Sequence, residues 1–207
     1  EAARDAGVQR VVFASSAAVY GDEPNLPSTE HDPIDCRSPY AASKAAGEAL
    51  MTAFGRCYEL STVSLRYFNI YGPRQDPDSP YAAVIAAFLS ALRSGRPPTI
   101  FGDGQQTRDF TCIDDVVEAN LRAATCAKPL TGEVMNIGTG RQSSLLDVLA
   151  ALREAIGVDL APRFEAERAG DVRHSVADIS KAQAMIGYQP QTTLTEGLKR
   201  LASSARG

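Results

Sequence analysis

The chain has 207 residues, of which 44% are hydrophobic and 22% are charged, and its formal net charge at pH 7 is −4. This composition is typical of a globular protein with one good core or two small ones. The acidic balance argues against a broad surface for nucleic acid or for an anionic membrane, and no apolar run reaches the roughly 18 residues of a membrane span. We therefore expect a small-molecule partner, with no nucleic acid and no membrane.

The cysteines and histidines give no sign of a metal site. Cys36, Cys57, Cys112 and Cys126 form no C-x-x-C pair, and the chain has only 2 histidines. Reduced, structural cysteines are the simplest interpretation, and we expect no bound metal. The first residues also lack signal-peptide character. A cytoplasmic protein is therefore expected.

The first functional feature along the chain is a strand that ends in two hydroxyls. Residues 1–6 resemble the last turns of a helix, and the apolar run Val11–Ala14 predicts a buried parallel strand. Ser15 and Ser16 follow at its carboxyl end, which is the edge where ligands bind in open α/β sheets. Ser16 is therefore a candidate to orient a substrate oxygen.

The next feature is a helix with a phenol and an amine on one face. Ser38 and Pro39 predict an N-cap and a first helical residue, so that a helix extends from Tyr40 to about Tyr58. Tyr40 and Lys44 are four residues apart and share one face. A free phenol has a pKa of about 10, and an ammonium within about 4–6 Å favours the phenolate. With Ser16, these groups indicate a base that deprotonates an alcohol while hydride leaves for a nicotinamide.

Short strands and helices alternate through the rest of the chain, with no repeat, low-complexity tract or linker. The predicted extended segments are Thr62–Tyr67, Pro98–Phe101, Arg108–Ile113 and Glu133–Ile137. The predicted helices are Tyr81–Arg93, Asp114–Thr125, Ser144–Ile156, Ile179–Ile186 and Thr195–Leu201.

One turn has part of the pattern of a dinucleotide-binding loop. Gly138 and Gly140 follow a predicted strand and precede a helix, but the third glycine position is Ser143 and no strand with a terminal acid follows at the expected distance. We favour a structural turn before a helix that Ser144 caps and Asp147 supports. No glycine-rich unit precedes Val11.

Six segments occur along nearly the whole chain in a recognisable order: Ala14–Gly21, Tyr40–Lys44, Leu65–Arg74, Gly102–Phe110, Asn136–Gly138 and Arg168–Arg173. Together they resemble the extended short-chain dehydrogenase/reductase family, and within it the nucleotide-sugar 4-epimerases. The resemblance implies an α/β fold: the carboxyl-terminal part of a doubly wound parallel-sheet (Rossmann-like) domain with a smaller α/β substrate-binding domain.

The resemblance also implies how the chain is divided. Residues 1–72 match the carboxyl-terminal half of an NAD-binding Rossmann-like domain. Residues 73–207 match mainly the nucleotide-sugar-binding region, and 106–140 partly return to the first domain. Because the family begins with a further unit that carries the glycine-rich loop, the sequence resembles the carboxyl-terminal two thirds of such an enzyme. We expect most of the NAD pocket to lie outside these residues.

Individual residues take roles from the resemblance. Ser16, Tyr40 and Lys44 match the catalytic hydroxyl, base and lysine, and Tyr40, Lys44 and Phe68 are the implied NAD-binding residues. The implied substrate-binding residues are Ser16, Asn69, Ala83, Val84, Thr99, Phe101, Arg108, Arg168, Asp171 and Ser175. The chemistry agrees, because guanidinium groups bind phosphates bidentately and a carboxylate suits ribose hydroxyls.

The implied reaction is NAD-dependent C4 epimerisation of a UDP-sugar through a 4-keto intermediate by a homodimer. The segment Ser15–Ala18 lacks the acidic residues of related dehydratases and decarboxylases, which disfavours both. Ser175 matches a position that limits the sugar pocket, and its small size predicts UDP-N-acetylglucosamine/UDP-N-acetylgalactosamine as the substrate pair. UDP-glucose/UDP-galactose is the alternative, and Ser175 as an ordinary packing residue is compatible with it. A non-catalytic nucleotide-sugar-binding fragment is the alternative of another class.

Overall fold

The computed structural model describes residues 1–22, 25–58, 60–76, 84–168 and 172–204. Its helices are α1 (Ala2–Asp5), α2 (Pro39–Cys57), α3 (Val84–Arg93), α4 (Ile113–Thr125), α5 (Leu145–Ile156), α6 (Ser180–Ile186) and α7 (Leu194–Ser203), with a 3₁₀ helix at Ala17–Tyr20. Its strands are β1 (Arg10–Ser16), β2 (Ser61–Tyr67), β3 (Ile70–Tyr71), β4 (Thr99–Phe101), β5 (Thr107–Arg108), β6 (Thr111–Cys112), β7 (Thr131–Ile137), β8 (Ser143–Ser144) and β9 (Arg163–Glu165).

A parallel sheet in the order β1-β2-β7 forms the centre of the fold. Successive side chains of β2 point to opposite faces, so Val63 and Leu65 join a buried cluster with α4, whereas Thr62 and Arg66 face α2. Helices therefore cover both faces of the sheet, as parallel strands require. Because the strands run in the same direction, their carboxyl ends meet at one edge.

Helix α2 lies unusually close to the sheet. A Cβ added at Gly47 would overlap the ring of Phe13, and one added at Gly55 would overlap the hydroxyl of Thr62. Glycine at these two helical positions therefore permits a close approach that costs helix propensity. The start of the helix, with its two predicted functional side chains, is held beside the end of β1.

A second hydrophobic cluster joins α3, α5 and α7. Two helices of this region begin with a capping box, in which Ser144 pairs with Asp147 and Thr193 with Glu196. The cap predicted at Ser144 is therefore confirmed. Packing of the apolar faces of these helices builds the smaller layer beside the sheet.

The predicted elements are found with shifts of a few residues at their ends, with one exception. The segment Arg108–Ile113 is not a single extended run: β5 ends at Arg108, and Ile113 already begins α4. The cause is Asp109, whose buried side chain turns inward to the main chain of Thr139 and Gly140 and interrupts the strand. The predicted start of a helix at Tyr81 lies outside the described residues.

The division of the chain at residue 72 stays a proposal. Helix α6 packs in the same cluster as β7 through Ala182 and Ile186, so it is a second segment that returns to the sheet. Among the described residues, no helix combines the length and the apolar character that crossing a bilayer requires.

Candidate active site

A cleft of about 360 Å³ opens at the carboxyl ends of β1 and β2. Side chains from the sheet edge, the start of α2 and the loop before α6 form its wall. The lining residues are Ser15, Ser16, Ala17, Ala18, Tyr20, Gly21, Ser28, Tyr40, Tyr67, Asn69, Ile70, Arg108, Val172 and Ser175. Five of the residues predicted from the sequence are therefore brought together here: Ser16, Tyr40, Asn69, Arg108 and Ser175.

The predicted serine and tyrosine line this cleft, and the predicted lysine, which is not a lining residue, lies next to the tyrosine. Ser16 is the last residue of β1, and its Oγ accepts a hydrogen bond of 3.2 Å from the N–H of Ala18. Tyr40 lies in the first turn of α2, and its side chain is accessible because 47% of the residue is exposed. The Nζ of Lys44 donates to the carbonyl of Ala14 at 2.9 Å and lies 5.5 Å from the Tyr40 ring centroid. The ammonium is thus fixed between the strand end and the phenol.

Four other predicted residues lie away from this cleft. Thr99 and Phe101, on β4, line a second cleft of about 490 Å³ together with α3. The guanidinium carbon of Arg168 lies 3.7 Å from the centroid of the Phe101 ring, a cation–π contact. Val84 is the first described residue of α3. Thr99, Phe101 and Arg168 thus form a second, separate set at β4.

Phe68, a predicted NAD-binding residue, lies in the core next to the cleft. Its side chain is fully buried beside Val19 and Ala177, and its ring centroid lies 6.1 Å from that of Tyr20. Phe68 therefore supports the wall of the cleft from behind and does not line it. Ala83 and Asp171, two further predicted substrate ligands, lie outside the described residues.

A buried ion pair behind the cleft was missed by the sequence analysis. Glu48 receives hydrogen bonds from Nε and Nη2 of Arg66, at 2.9 and 2.7 Å, and from Oγ of Ser15 at 2.5 Å. Burial opposes the charge of Arg66, but its hydrogen bonds to Glu48 raise the pKa of the guanidinium above the ordinary value. The spacing in the sequence could have indicated Glu48, because it follows Lys44 by one helical turn and so lies on the helix face that meets the sheet.

A second buried carboxylate explains the turn that resembles a dinucleotide loop. Asp109 accepts hydrogen bonds from N–H and Oγ1 of Thr139, at 2.8 and 2.6 Å, and from the N–H groups of Gly140 and Ala177, at 2.9 and 3.2 Å. Burial raises the pKa of Asp109, against the opposite effect of these hydrogen bonds. A Cβ at Gly138 would overlap the same carboxylate. The turn therefore binds an anion of its own chain.

Asp109, the residue after β5 and next to Arg108, also joins this strand end to the turn after β7 and to the loop before α6. We expect Asp109→Ala to lower the free energy of unfolding by about 1–3 kcal/mol, because it leaves buried N–H groups without an acceptor. Urea unfolding followed by circular dichroism measures this loss. Asp103→Ala is the matched control: it removes a half-exposed carboxylate paired with Arg173 and should cost less than about 0.5 kcal/mol. Equal losses in the two variants would contradict the structural role of Asp109.

Comparisons with known proteins agree with the arrangement of the fold and the cleft. Residues 1–138 match the model of the NAD dependent epimerase/dehydratase family. A curated relative, UDP-glucose 4-epimerase of Mycolicibacterium smegmatis, is 43% identical over 97% of this chain and 63% of its own length. The chain thus spans less than two thirds of the length of this relative.

Solved structures give the same result. UDP-N-acetylglucosamine 4-epimerase from Methanobrevibacter ruminantium, in complex with UDP-N-acetylmuramic acid, superposes with a TM-score of 0.92 at 38% identity, over 97% of this chain and 64% of that one. UDP-glucuronic acid 4-epimerase from Bacillus cereus, in complex with UDP-glucuronic acid and NAD, superposes with a TM-score of 0.85 at 35% identity. This match covers 93% of this chain and 60% of that one. The expected parallel-sheet α/β fold is confirmed. The chain belongs to the NAD dependent epimerase/dehydratase family.

Proposed function

We propose that this chain carries the catalytic and substrate-binding part of an NAD-dependent enzyme that interconverts C4 epimers of a UDP-sugar. The observation that carries the proposal is a cleft lined by Ser16, Tyr40 and Arg108, with the ammonium of Lys44 at 5.5 Å from the centroid of the Tyr40 ring. The relatives named above are 4-epimerases of three different UDP-sugars, which supports the reaction and leaves the sugar to be argued from the cleft.

The side chains of the cleft suit acid–base chemistry on a sugar hydroxyl. Tyr40 takes the proton from the hydroxyl on C4 and later returns it, because its phenol faces the cleft beside a fixed ammonium. Ser16 orients the same oxygen. Lys44 stabilises the phenolate through its charge, and its hydrogen bond to Ala14 holds it in place without neutralising it.

The residues present fit the ribose end of NAD. The ammonium of Lys44 has three N–H donors, and its one hydrogen bond to Ala14 leaves donors for a ribose hydroxyl. NAD, when bound, supplies the hydride acceptor and donor for C4. Tyr40 and Lys44 would hold its ribose, whereas Phe68 supports the wall from the core.

The nucleotide part of the substrate needs groups for a base and for two phosphates. Arg108 lies in the cleft, and Arg168 stacks on Phe101 beside Thr99 in the separate set at β4, so we propose that these two cations and the aromatic face bind the nucleotide. Anchoring through the nucleotide, with few contacts to the sugar, leaves the sugar able to present either face to the cofactor. Asn69 and Val84 complete the proposed contacts.

We propose UDP-N-acetylglucosamine/UDP-N-acetylgalactosamine as the substrate pair, because Ser175 lines the cleft with a small side chain. Ser175→Tyr should lower kcat/KM for the N-acetyl pair by about 10–200-fold and that for UDP-glucose much less, since the larger side chain removes space for the N-acetyl group. Ser175→Thr is the control. An equal loss for both sugars, or a wild-type preference for UDP-glucose, would favour the UDP-glucose/UDP-galactose alternative.

The reaction itself is tested on the enzyme that contains this chain, because most of the NAD pocket is expected to lie outside these residues. The enzyme is incubated with NAD and UDP-N-acetylglucosamine, and the epimer is followed by proton NMR. Appearance of UDP-N-acetylgalactosamine to equilibrium is the expected result. Conversion to a dehydrated or decarboxylated nucleotide sugar would refute the epimerase and favour those two classes, which the absence of an acid in Ser15–Ala18 disfavours. Calorimetric titration with UDP, run in parallel, measures whether the nucleotide part of the substrate binds independently of turnover.

A second candidate function is a nucleotide-sugar-binding protein without catalysis. The observation in its favour is that the turn Gly138–Gly140 already binds Asp109, so this glycine pair offers no pyrophosphate site. Binding of UDP-sugar without turnover and without submicromolar affinity for NAD would support this candidate. Submicromolar NAD affinity in this chain would contradict it.

We also propose a homodimer that forms through α2. Its outer face presents Ala42, Ala46, Ala49 and Ala53, all exposed, next to Leu50, which is 57% exposed. Small side chains permit close helix packing. Leu50→Glu should convert the dimer to a monomer in light scattering, whereas Leu121→Glu on α4, at a residue that is 56% exposed, should not. A wild-type chain that is monomeric at high concentration would contradict the proposal.

A further inference from the structure

The ammonium of Lys44 has an aromatic contact that the proposed reaction does not use. Its Nζ lies 5.5 Å from the centroid of the Phe13 ring, and it lies at the same distance, 5.5 Å, from the centroid of the Tyr40 ring. Both distances are within the range of about 6 Å in which an aromatic face attracts a cation. The ammonium is therefore held by the carbonyl of Ala14 and by two rings, of which only Tyr40 takes part in the proposed chemistry.

The position of the Phe13 ring is fixed by a glycine on α2. Phe13 and Ser15 are two residues apart on β1, so both side chains point toward α2. The edge of the ring, with Cζ, Cε1 and Cε2, occupies the space that a Cβ at Gly47 would need. Gly47 follows Lys44 by three residues and shares its helix face. The absence of a side chain at Gly47 thus lets the ring lie against α2 beside the lysine.

A lysine needs a second contact of this kind to keep a defined position. Its four-carbon stem is flexible, and the carbonyl that Nζ reaches belongs to Ala14, an exposed residue. Water competes for an exposed hydrogen bond, so this bond alone holds the ammonium weakly. A cation–π contact at a partly exposed site adds a factor of about 2–5 to the equilibrium that favours the held position.

We propose that Phe13 is a positioning residue that holds the Lys44 ammonium beside Tyr40, and that Gly47 is required because it makes room for the ring. The inference rests on the proposed function, in which the charge of Lys44 stabilises the Tyr40 phenolate. This stabilisation weakens when the ammonium moves away from the phenol. The described residues that line the cleft include neither Phe13 nor Lys44, so the ring acts on the rate and not on the binding of the UDP-sugar.

Phe13→Leu tests the ring in the enzyme that contains this chain, assayed by proton NMR with saturating NAD. Leucine keeps an apolar side chain against α2 but has no aromatic face, so kcat should fall about 2–5-fold while KM for the UDP-sugar stays unchanged. Phe54→Leu is the matched control, because it makes the same change on α2, where Phe54 packs against Tyr58. An unchanged kcat in Phe13→Leu, or an equal loss in Phe54→Leu, would overturn the inference.

A double-variant cycle shows whether the ring acts through the ammonium. Lys44→Met removes the charge and keeps most of the stem, so adding Phe13→Leu to this variant should lower kcat no further. A contribution of Phe13 to packing alone would lower kcat by the same factor with and without the lysine. That result would contradict the positioning role.

Two glycine variants give a test that leaves both Phe13 and Lys44 in place. Gly47→Ala forces the Phe13 ring to move, whereas Gly55→Ala, on the same helix, meets the hydroxyl of Thr62. Both should lower the free energy of unfolding, but kcat of the folded enzyme should fall at least about 2–5-fold only in Gly47→Ala. Equal kcat values in the two variants would argue against the ring.

The inference and the proposed function can fail separately. A wild-type enzyme that does not interconvert C4 epimers would refute the proposed function, and the inference with it. Normal epimerisation that is insensitive to Phe13→Leu would overturn the inference alone.

Discussion

Replacement of Tyr40 by phenylalanine is expected to lower the rate of C4 epimerisation by about 10²–10⁴-fold and to leave UDP-sugar affinity nearly unchanged. The phenylalanine ring keeps the packing of the first turn of α2, and only the oxygen that exchanges the proton is lost. The neighbouring ammonium of Lys44, which lies 5.5 Å from the ring centroid, then has no phenolate to stabilise. The loss should therefore appear in kcat and not in KM.

The measurement is the NMR assay with saturating NAD, combined with calorimetry for binding. Tyr58→Phe is the matched control, because it makes the same chemical change on the residue that follows α2, away from the cleft, where Tyr58 stacks with Phe54 and Arg4. A rate for Tyr40→Phe within tenfold of wild type would remove Tyr40 from the role of base. A matching loss in Tyr58→Phe would attribute the effect to α2 as a whole.

The features that the sequence could predict are those set by neighbours in the chain. Ser38 caps α2 and Ser144 caps α5 through contacts three residues away, and the spacing of Tyr40 and Lys44 places both on one helical face. The position of Ser16 at the end of a parallel strand is a consequence of one apolar run. Local rules are sufficient for each of these.

The features that the sequence could not predict depend on contacts between distant segments. Asp109 reaches Thr139, 30 residues away, and Ala177, 68 residues away, and no local pattern indicates either partner. The same contacts interrupt the strand that the pattern 108–113 indicates. The hydroxyl of Tyr67 likewise donates to Asn120 of α4, 53 residues further on.

The resemblance to nucleotide-sugar epimerases is likewise unable to predict contacts between distant segments. Family motifs bring together Ser16, Asn69 and Arg108 in one cleft, but they give no distances, and Phe68, whose predicted role in NAD binding stays a prediction, is buried and does not line that cleft. A motif records which residues occur together. Whether a side chain lines a cleft or supports it depends on contacts between distant segments, as those of Phe68 with Val19 and Ala177 illustrate.

Loss of the buried carboxylate beneath the cleft should have the largest effect on stability. We expect Glu48→Ala to lower the free energy of unfolding by about 3–5 kcal/mol, because it leaves the guanidinium of Arg66, a side chain that is only 3% exposed, without its partner. Urea denaturation gives the value. Glu118→Ala is the control: it breaks the exposed pair with Arg122 on α4 and should cost at most about 0.5 kcal/mol.

A double variant separates the charge from the packing. Glu48→Leu with Arg66→Met removes both charges and keeps most of the volume, so it should recover most of the stability lost in Glu48→Ala. Its turnover should nevertheless stay below wild type, because Ser15, the neighbour of Ser16, loses its acceptor at the end of β1. A loss below about 1 kcal/mol in Glu48→Ala would contradict the pair's structural role. Full turnover in the double variant would show that the ion pair stabilises the sheet without positioning the cleft.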